Sequence, residues 1–389
     1  MIRPTTAIFL PAMLAASAVP AFAVDETFET KGPAIRVETH AEGLSHPWAI
    51  APLPDGGMLV TERQGNLRSV SSDGALSEPI SGVPEVDARG QGGLLDVALD
   101  PDFAENRRVY LSFAERGDGG NGTAVARGTL NQDMSALEGV EVIFRQTPKV
   151  ESRAHFGSRL VFDDDGHLFV TLGERSQARF RGQAQELGSH LGKIVRINPD
   201  GSVPDDNPFI GQEGALPEIY AYGVRNVQAA AMNPESGKLW EIEHGPRGGD
   251  ELNIIEPGAN YGWPVVTLGV EYSGDPMHGA VETREGMVDA IYSWTPVIAP
   301  SGMIFYESDA FADWKGDLFV GGLASTALVR LDVDGDTVGG EERLLEDLGL
   351  RIRDVAQGPD GAIYVATDEE NGEILRITPA DSTETGATE

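Results

Sequence analysis

The sequence predicts an all-β protein folded as a six-bladed β-propeller. Six copies of a turn followed by alternating apolar residues support this prediction, and each copy is expected to form a half-buried strand. The 48 glycines and 24 prolines favour turns and short strands over long helices. An eight-bladed propeller and a pair of β-sandwiches are the alternative folds. The first strand residues of the copies are Met58, Val109, Leu168, Leu239, Leu318 and Ile363.

The spacing of the copies indicates a closed ring. Successive copies lie about 51, 59, 71, 79 and 45 residues apart, which is near or above the length of a propeller blade. The remaining pieces, Val24 to Met58 and Ile363 to the end, together make about 60 residues. We therefore expect a last blade completed by both termini, which removes free sheet edges. The two longest steps predict inserted loops, where binding residues tend to lie.

The two ends of the chain differ from its middle. Residues 1–23 combine an early Arg3, an apolar run and a small-x-small site at Ala21-Phe22-Ala23, the pattern of a secretory signal peptide. The apolar run is too short to span a bilayer comfortably, so no membrane insertion is expected. The propeller is predicted over residues 24–379 and a disordered acidic tail over residues 380–389. The protein is expected to be periplasmic or secreted.

Composition narrows the range of partners. The formal net charge is -33, with 62 acidic against 29 basic residues, which disfavours nucleic acid and anionic membranes as partners. The absence of cysteine excludes a disulfide scaffold, so stability must come from a large core. In so acidic a chain, any cluster of arginines needs an explanation.

Two sets of residues could carry chemistry. His155 precedes the strand of the third copy, where a neutral imidazole could accept a proton from an alcohol; a loop histidine bonded to backbone is the alternative. Arg225-Asn226 and the pair Arg351 and Arg353 could bind a carboxylate or phosphate ligand in the channel. The alternative for these arginines is salt bridges with Asp354, Asp250 or Glu251.

A glycine-proline turn suggests a cation site. Gly245-Pro246 offers backbone carbonyls beside the carboxylates of Asp250 and Glu251, an oxygen-rich set that suits Ca²⁺ better than zinc or copper. An ordinary turn is the alternative. The glycine-rich loop around Gln91 is not a dinucleotide fingerprint, and the chain has neither a Walker loop nor a G-x-S-x-G elbow.

Seven segments in order resemble the quinoprotein glucose/sorbosone dehydrogenase family, most closely its soluble aldose sugar dehydrogenases that use pyrroloquinoline quinone (PQQ). The resemblance runs from about Gly43 to Ile377. The segments are GLSHPWAIAPLPDGGMLVTER, GQGGLLDVALDPDF, HFGSRLVF, YGVRNVQ, EHGPRGGDELN, GANYGWP and RIRDVAQGPDGAIYV.

The resemblance implies a six-bladed propeller that oxidises sugars with PQQ and Ca²⁺. His155 matches the general base, Gly245 and Pro246 match the carbonyl ligands of the Ca²⁺ beside the quinone, and Glu251 and Tyr261 match a second calcium position. The positions matching PQQ contacts are Gln91, Arg225, Asn226, Tyr272, Ala324, Arg351 and Arg353. The implied partners are an aldose and an unknown electron acceptor, and the implied state is a monomer or weak homodimer.

Two departures separate this chain from the glucose dehydrogenase branch. Ala154 stands where that branch has an aspartate before the histidine, and Ala324 stands where it has a cofactor-binding lysine. The aldose branch also has a small residue at the second position. Two further hypotheses are a Ca²⁺-dependent propeller lactonase or hydrolase, and a non-catalytic sugar-binding propeller without a cofactor.

Overall fold

The computed structural model describes residues 23–380, and every structural statement below concerns this part of the chain. The predicted signal peptide (residues 1–23) and acidic tail (residues 380–389) lie outside it, apart from their boundary residues Ala23 and Ala380.

Short strands dominate the described residues. In chain order the strands are β1 (Asp25–Phe28), β2 (Ile35–Leu44), β3 (Pro47–Pro52), β4 (Met58–Glu62), β5 (Asn66–Val70), β6 (Leu94–Leu99), β7 (Arg108–Gly117), β8 (Gly120–Leu130), β9 (Leu137–Arg145), β10 (Leu160–Phe162), β11 (Leu168–Thr171), β12 (Lys193–Ile197), β13 (Ile219–Tyr222), β14 (Val227–Met232), β15 (Leu239–Glu243), β16 (Asp250–Ile255), β17 (Tyr292–Trp294), β18 (Pro300–Phe305), β19 (Leu318–Gly322), β20 (Ala327–Asp334), β21 (Thr337–Leu344), β22 (Ile352–Gln357), β23 (Ile363–Thr367) and β24 (Gly372–Pro379). The helical segments are α1 (Phe103–Asn106), α2 (Ala178–Arg181) and the 3-10 turns Gly182–Gln185, Asp309–Trp314 and Glu346–Leu348.

These strands form six antiparallel sheets, which are the six blades. Blade 1 is β3–β5, blade 2 β6–β9, blade 3 β10–β13, blade 4 β14–β17 and blade 5 β18–β21. Blade 6 combines β22–β24 with β2 and β1 from the other end of the chain, and Ile35 of β2 lies opposite Pro379 of β24. The predicted six-bladed propeller with a last blade closed by both termini is therefore confirmed, and the two alternative folds are excluded.

The six sequence copies each begin the second strand of a blade, in β4, β7, β11, β15, β19 and β23. The expectation of half-buried strands is wrong, however. Strands such as β4, β15 and β23 are buried at every position. The physical reason is that each second strand has a hydrogen-bonded neighbour on either side while adjacent blades cover both faces of its sheet.

The first strand of each blade faces the ring axis. Contacts between neighbouring first strands run from β3 through β6, β10, β14, β18 and β22 and back to β3, so the ring is closed. The predicted inserted loops are present as residues 198–218 in blade 3 and 256–291 in blade 4. None of the helices within residues 23–380 is long and apolar enough to cross a bilayer.

The buried side chain of Arg159 contacts the first strands of all five other blades. Arg159, directly before β10, donates from Nη1 to Asp96 of β6 at 2.8 Å and lies 3.2 Å from Asp354 of β22. Its Nε donates to the Gln228 carbonyl of β14 at 3.1 Å, and its Nη2 donates to the Ser301 carbonyl of β18 at 3.5 Å.

The fifth contact of Arg159 is with β3. The guanidinium lies 4.7 Å from the centre of the Trp48 ring, a cation–π contact. Its two acidic partners also bind backbone across blades, because Asp96 accepts from Leu160 N at 2.6 Å and Asp354 from Ile50 N at 2.8 Å. Burial raises the pKa of Asp96 to about 6, against the opposing effect of Arg159. This Arg159 cluster therefore joins the six blades at the ring axis.

Replacing the central guanidinium should weaken the whole ring. We expect Arg159→Leu to lower the free energy of unfolding in denaturant by about 3–5 kcal/mol, because two buried carboxylates lose their counterion. Arg145→Leu is the control, since Arg145 is half exposed, its partner Glu115 keeps Lys149 as a second cation, and surface pairs contribute about 0–1 kcal/mol. Equal effects of the two substitutions would contradict this assignment of Arg159.

Candidate active site

The loops that precede the first strands converge at one end of the ring axis. These loops carry Gln91 before β6, His155 before β10, Arg225 and Asn226 before β14, and Arg351 before β22. The residues that directly follow the second strands reach the same end, because first and second strands are antiparallel. Side chains distant in sequence therefore meet here.

His155 is held by two hydrogen bonds. Its backbone N–H donates to Gln91 Oε1 at 2.8 Å, and its Nδ1 lies 2.9 Å from Glu174 Oε1. A carboxylate only accepts, so Nδ1 carries the hydrogen in this contact and Nε2 keeps its lone pair. His155 is 5% exposed and has a left-handed backbone, with φ of 53°.

The surroundings of His155 favour its neutral form. Burial lowers the pKa of His155 below its ordinary value of 6.5, Glu174 opposes this by raising it, and the positive charge of Arg225 lowers it again. The imidazole is thus a neutral base at neutral pH, and its conjugate acid has a carboxylate to stabilise it. Glu174 was missed at the sequence level.

Asn226 supports the same loop. Its side-chain Oδ1 accepts from the Gly157 N–H at 3.1 Å, two residues after His155. Its carbonyl accepts from the His244 N–H at 3.1 Å, which connects the loop to the segment after β15. Asn226 therefore ties the loop of His155 to blade 4.

A cavity of about 310 Å³ lies on the axis at this end of the ring. Three arginines reach it, and Asp368 is the acid that lines it with them. The residues lining it are Trp48, Arg63, Gln91, Gln228, His244, Ala299, Leu323, Arg351, Arg353 and Asp368. The cavity is therefore locally cationic in a chain of net charge -33.

Asp368 lies between the predicted pair of arginines. Its Oδ2 accepts from Arg351 Nη2 and Arg353 Nη2, both at 2.9 Å. The pKa of Asp368 is about 2; burial raises it, but the positive charge of Arg353 and the hydrogen bonds from both arginines outweigh that effect. The pair does form a salt bridge, but with Asp368 and not with Asp354, Asp250 or Glu251. One carboxylate cannot neutralise two guanidiniums.

Several buried side-chain nitrogen atoms around the cavity have no partner, three of them guanidinium donors. Within residues 23–380, no hydrogen bond is made by Arg63 Nε, Arg225 Nε, Arg353 Nε or His244 Nε2. A buried polar group without a partner is costly, and such groups at a site are natural contacts for a ligand. Both the charge and the unpaired donors fit a small molecule that carries carboxylates.

Arg225 links the cavity to the glycine-proline turn. Its Nη1 donates to the carbonyls of His244 at 2.7 Å and Gly245 at 2.8 Å, and its Nη2 donates to the hydroxyl of Tyr272 at 3.1 Å. The guanidinium also lies 5.1 Å from the centre of the Trp263 ring. Tyr272 is 64% exposed, so it lies at the mouth of the site. Ala324 is likewise exposed and follows Leu323, which lines the cavity.

Acidic side chains lie behind this turn, of which Glu241 and Glu243 are buried and Glu251 is partly buried. Glu243 and Glu251 are opposite each other on β15 and β16, and Glu241 is opposite Asn253 on the same strands. Burial raises the pKa of Glu251 to about 7 and raises that of Glu243 well above its ordinary value. Excess buried carboxylate favours a bound cation.

The predicted calcium residues are close to one another in this region. A void of about 10 Å³, about the minimum needed to admit one small ion or water, is lined by Glu243, Gly245, Glu251 and Tyr261, among others. Pro246 follows Gly245 but does not line it. Within residues 23–380 no three His, Cys, Asp or Glu side chains are arranged to hold a metal, so a cation here would depend on backbone carbonyls as well. The Gly245 carbonyl keeps one lone pair beyond its bond to Arg225.

Fold and site together define a class: β-propellers with a cationic cavity on the ring axis. The family model for Glucose / Sorbosone dehydrogenase matches residues 44–376, and the chain belongs to this family.

Individual relatives agree with this assignment. Aldose sugar dehydrogenase YliI of Escherichia coli (strain K12) is 50% identical over 348 residues, covering 89% of this chain and 93% of that protein. The crystal structure of the soluble aldose sugar dehydrogenase from Escherichia coli in the apo-form matches with a TM-score of 0.86 and 50% identity, covering 89% of this chain and 100% of the other. The PQQ-bound form of aldose sugar dehydrogenase from Streptomyces coelicolor matches with a TM-score of 0.71 and 29% identity, covering 92% and 100%.

The environment of His155 predicts its titration. We expect an imidazole pKa below 6.5 for His155, and a still lower value in Glu174→Gln, because the carboxylate is the group that raises it. The shift of the imidazole carbon signals with pH, followed by NMR, measures both values. His155→Asn identifies the signal. A pKa at or above 6.5, or no change in Glu174→Gln, would overturn the assigned contact.

Proposed function

We propose that this protein is an exported, PQQ-dependent dehydrogenase that oxidises aldoses at the anomeric carbon to lactones. The observation that carries the proposal is the cationic cavity beside His155, where Arg351 and Arg353 share one carboxylate. The aldose sugar dehydrogenases that this chain resembles support the same activity.

The residues present fit the cofactor. PQQ is a planar tricarboxylate, so it requires guanidinium groups and a flat slot. Arg225, Arg351 and Arg353 supply positive charge, and the Nε groups of Arg225 and Arg353 are buried without partners among the described residues. The proposed contacts also include Gln91, Asn226, Tyr272 and Ala324. Bound PQQ would supply the acceptor for the hydride that leaves the anomeric carbon.

His155 is the proposed general base. Its Nε2 would take the proton of the anomeric hydroxyl, and Glu174 would stabilise the imidazolium that forms. The hydrogen bond from the backbone N–H of His155 to Gln91 Oε1 holds this part of the loop beside the cavity and so positions the imidazole. Loss of the hydroxyl proton to His155, together with loss of the hydride from the anomeric carbon, would convert the hemiacetal into a lactone.

Calcium has two proposed positions. The carbonyls of Gly245 and Pro246 would hold the ion near the cavity, where Ca²⁺ would act as a Lewis acid. Glu251 and Tyr261 would hold a second, structural ion, supported by the carboxylates of Glu243 and Glu251, which lie opposite each other without an ion-pair partner among the described residues. Hard oxygen donors of this kind suit Ca²⁺.

Small residues widen the expected range of substrates. Ala154 next to His155 and Ala324 beside the cavity present only methyl groups, so neither can make a polar contact that selects glucose. We propose that several aldoses are accepted. The signal-like residues 1–23 support a periplasmic location, where an electron acceptor would reoxidise the cofactor.

The direct test is reconstitution. Purified protein should gain dye-linked oxidation of an aldose panel when PQQ and Ca²⁺ are added, and His155→Ala should lower kcat by about 10²–10⁴-fold while keeping PQQ binding. No oxidation of any aldose by protein with bound PQQ would defeat the proposal. Lactone hydrolysis without PQQ would favour the hydrolase instead.

A titration of PQQ by absorbance separates a dehydrogenase from a binding protein without cofactor. We expect Arg353→Ala to weaken PQQ binding by roughly 30-fold or more, because a buried charge contact is lost. Arg376→Ala is the control, since Arg376 pairs with Glu38 and Asp360 within blade 6, away from the cavity. Equal affinity in both variants would remove Arg353 from the cofactor site.

A further inference from the structure

A second cleft lies beside the loop that carries His155. Its volume is about 500 Å³, within the usual range for small-molecule sites. Its lining residues are Arg89, Gly120, Asn121, Glu151, Ser152, Arg153 and Gln177. Two short segments separate it from the axial cavity: Arg89 lines the cleft while Gln91 lines the cavity, and Ser152 and Arg153 line the cleft just before His155.

The cleft carries more positive than negative charge. Arg89 and Arg153 line it, and Arg116 and Arg179 line the hollow that continues from it. All four arginines are exposed. The facing acids are Asp87, which is buried, and Glu151 and Asp118 at the rim. Four guanidiniums on one face are notable in a chain of net charge -33.

Most of these arginines are poorly neutralised. Asp87 binds Arg89 through both oxygens, at 2.7 and 2.6 Å, and lies 3.5 Å from Arg116, so one carboxylate serves two cations. Within the described residues, Arg153 makes no side-chain hydrogen bond or ion pair. Arg179 bonds only to neutral oxygens there, those of Gln177 and the Glu151 backbone.

A fifth arginine, Arg175, adds positive charge from beneath the residues that line the cleft. Arg175 is fully buried and donates from Nη2 to Asn121 Oδ1 at 2.8 Å and to the Ser152 carbonyl at 3.1 Å, two residues that line the cleft. It lies 3.7 Å from the centre of the Phe156 ring, and its Nη1 has no partner among the described residues. Within residues 23–380, no carboxylate lies within ion-pair distance of Arg175. Glu174 and Asp87 act on Arg175 only from beyond ion-pair distance, so its buried charge is incompletely compensated and favours a further anion nearby.

We propose that this cleft binds the carboxylate of an acidic saccharide whose reducing-end ring is oxidised at His155, an inference that rests on the proposed function. The planar guanidiniums match a carboxylate, and the side chains of Gln177 and Glu151 can bond sugar hydroxyls. Arg153 is two residues from His155, a Cα separation of at most about 7 Å. In this proposal, a second ring attached to the ring at His155 extends past this loop and places its carboxylate in the cleft.

The kinetic test compares two disaccharides with the same reducing end. Cellobiuronic acid carries a carboxylate on its second ring and cellobiose does not. We expect kcat/KM of the loaded enzyme to favour cellobiuronic acid by about tenfold or more at low salt, and the preference to shrink as salt is added. Arg153→Gln and Arg179→Gln should remove the preference and leave oxidation of cellobiose unchanged. Arg343→Gln, on the outer strand of blade 5, is the matched control.

A binding measurement keeps the cleft testable apart from catalysis. Calorimetric titration of the protein without PQQ should detect cellobiuronic acid and show its loss in Arg153→Gln, even if no aldose is oxidised. Equal kcat/KM for both disaccharides together with no calorimetric binding would refute the proposal. If the two substitutions instead raise only the KM for the electron acceptor, the cleft is an acceptor-docking face and the saccharide assignment is wrong.

Discussion

The six blades meet at one buried guanidinium. Arg159 contacts the first strands of all five other blades through two carboxylates, two carbonyls and one indole ring. Such a group can be buried only if all of its partners are in place together, because each missing partner leaves charge without compensation. The closed ring and the Arg159 cluster therefore require each other. This geometry fixes where the loops at the active-site end converge.

The balance of charge at the ring axis differs between the Arg159 cluster and the cavity above it. At the Arg159 cluster two acids surround one arginine, whereas in the cavity two arginines share Asp368. Gln228 connects the levels, since its carbonyl accepts from Arg159 and its side chain accepts from Arg353 at 3.1 Å. The polypeptide thus keeps an incompletely neutralised cationic site inside an acidic protein, and this excess of positive charge favours an anionic ligand.

Sequence patterns predicted the blades and part of the site because both depend on short-range order. The repeat marks the second strands, so His155 and Gln91 could be assigned to the loops ahead of them, whereas Arg225 was selected by its residue type and by the family resemblance. Glu174, Arg63 and Asp368 were missed because they follow second strands, and only the antiparallel sheets bring them to that end. Nothing local distinguishes Glu174, since Glu62, Glu115 and Glu243 occupy similar positions. The contacts of Arg159 join residues up to the far end of the chain, and no local pattern encodes them.

We infer that the cavity above the Arg159 cluster binds a flat tri-acid within reach of His155. A crystal structure of the protein grown with PQQ and calcium chloride tests it most directly. We expect planar density in the axial cavity, carboxylates against Arg351 and Arg353, and His155 facing the bound ring. An empty cavity whose two arginines remain on Asp368, or PQQ bound elsewhere on the molecule, would contradict it.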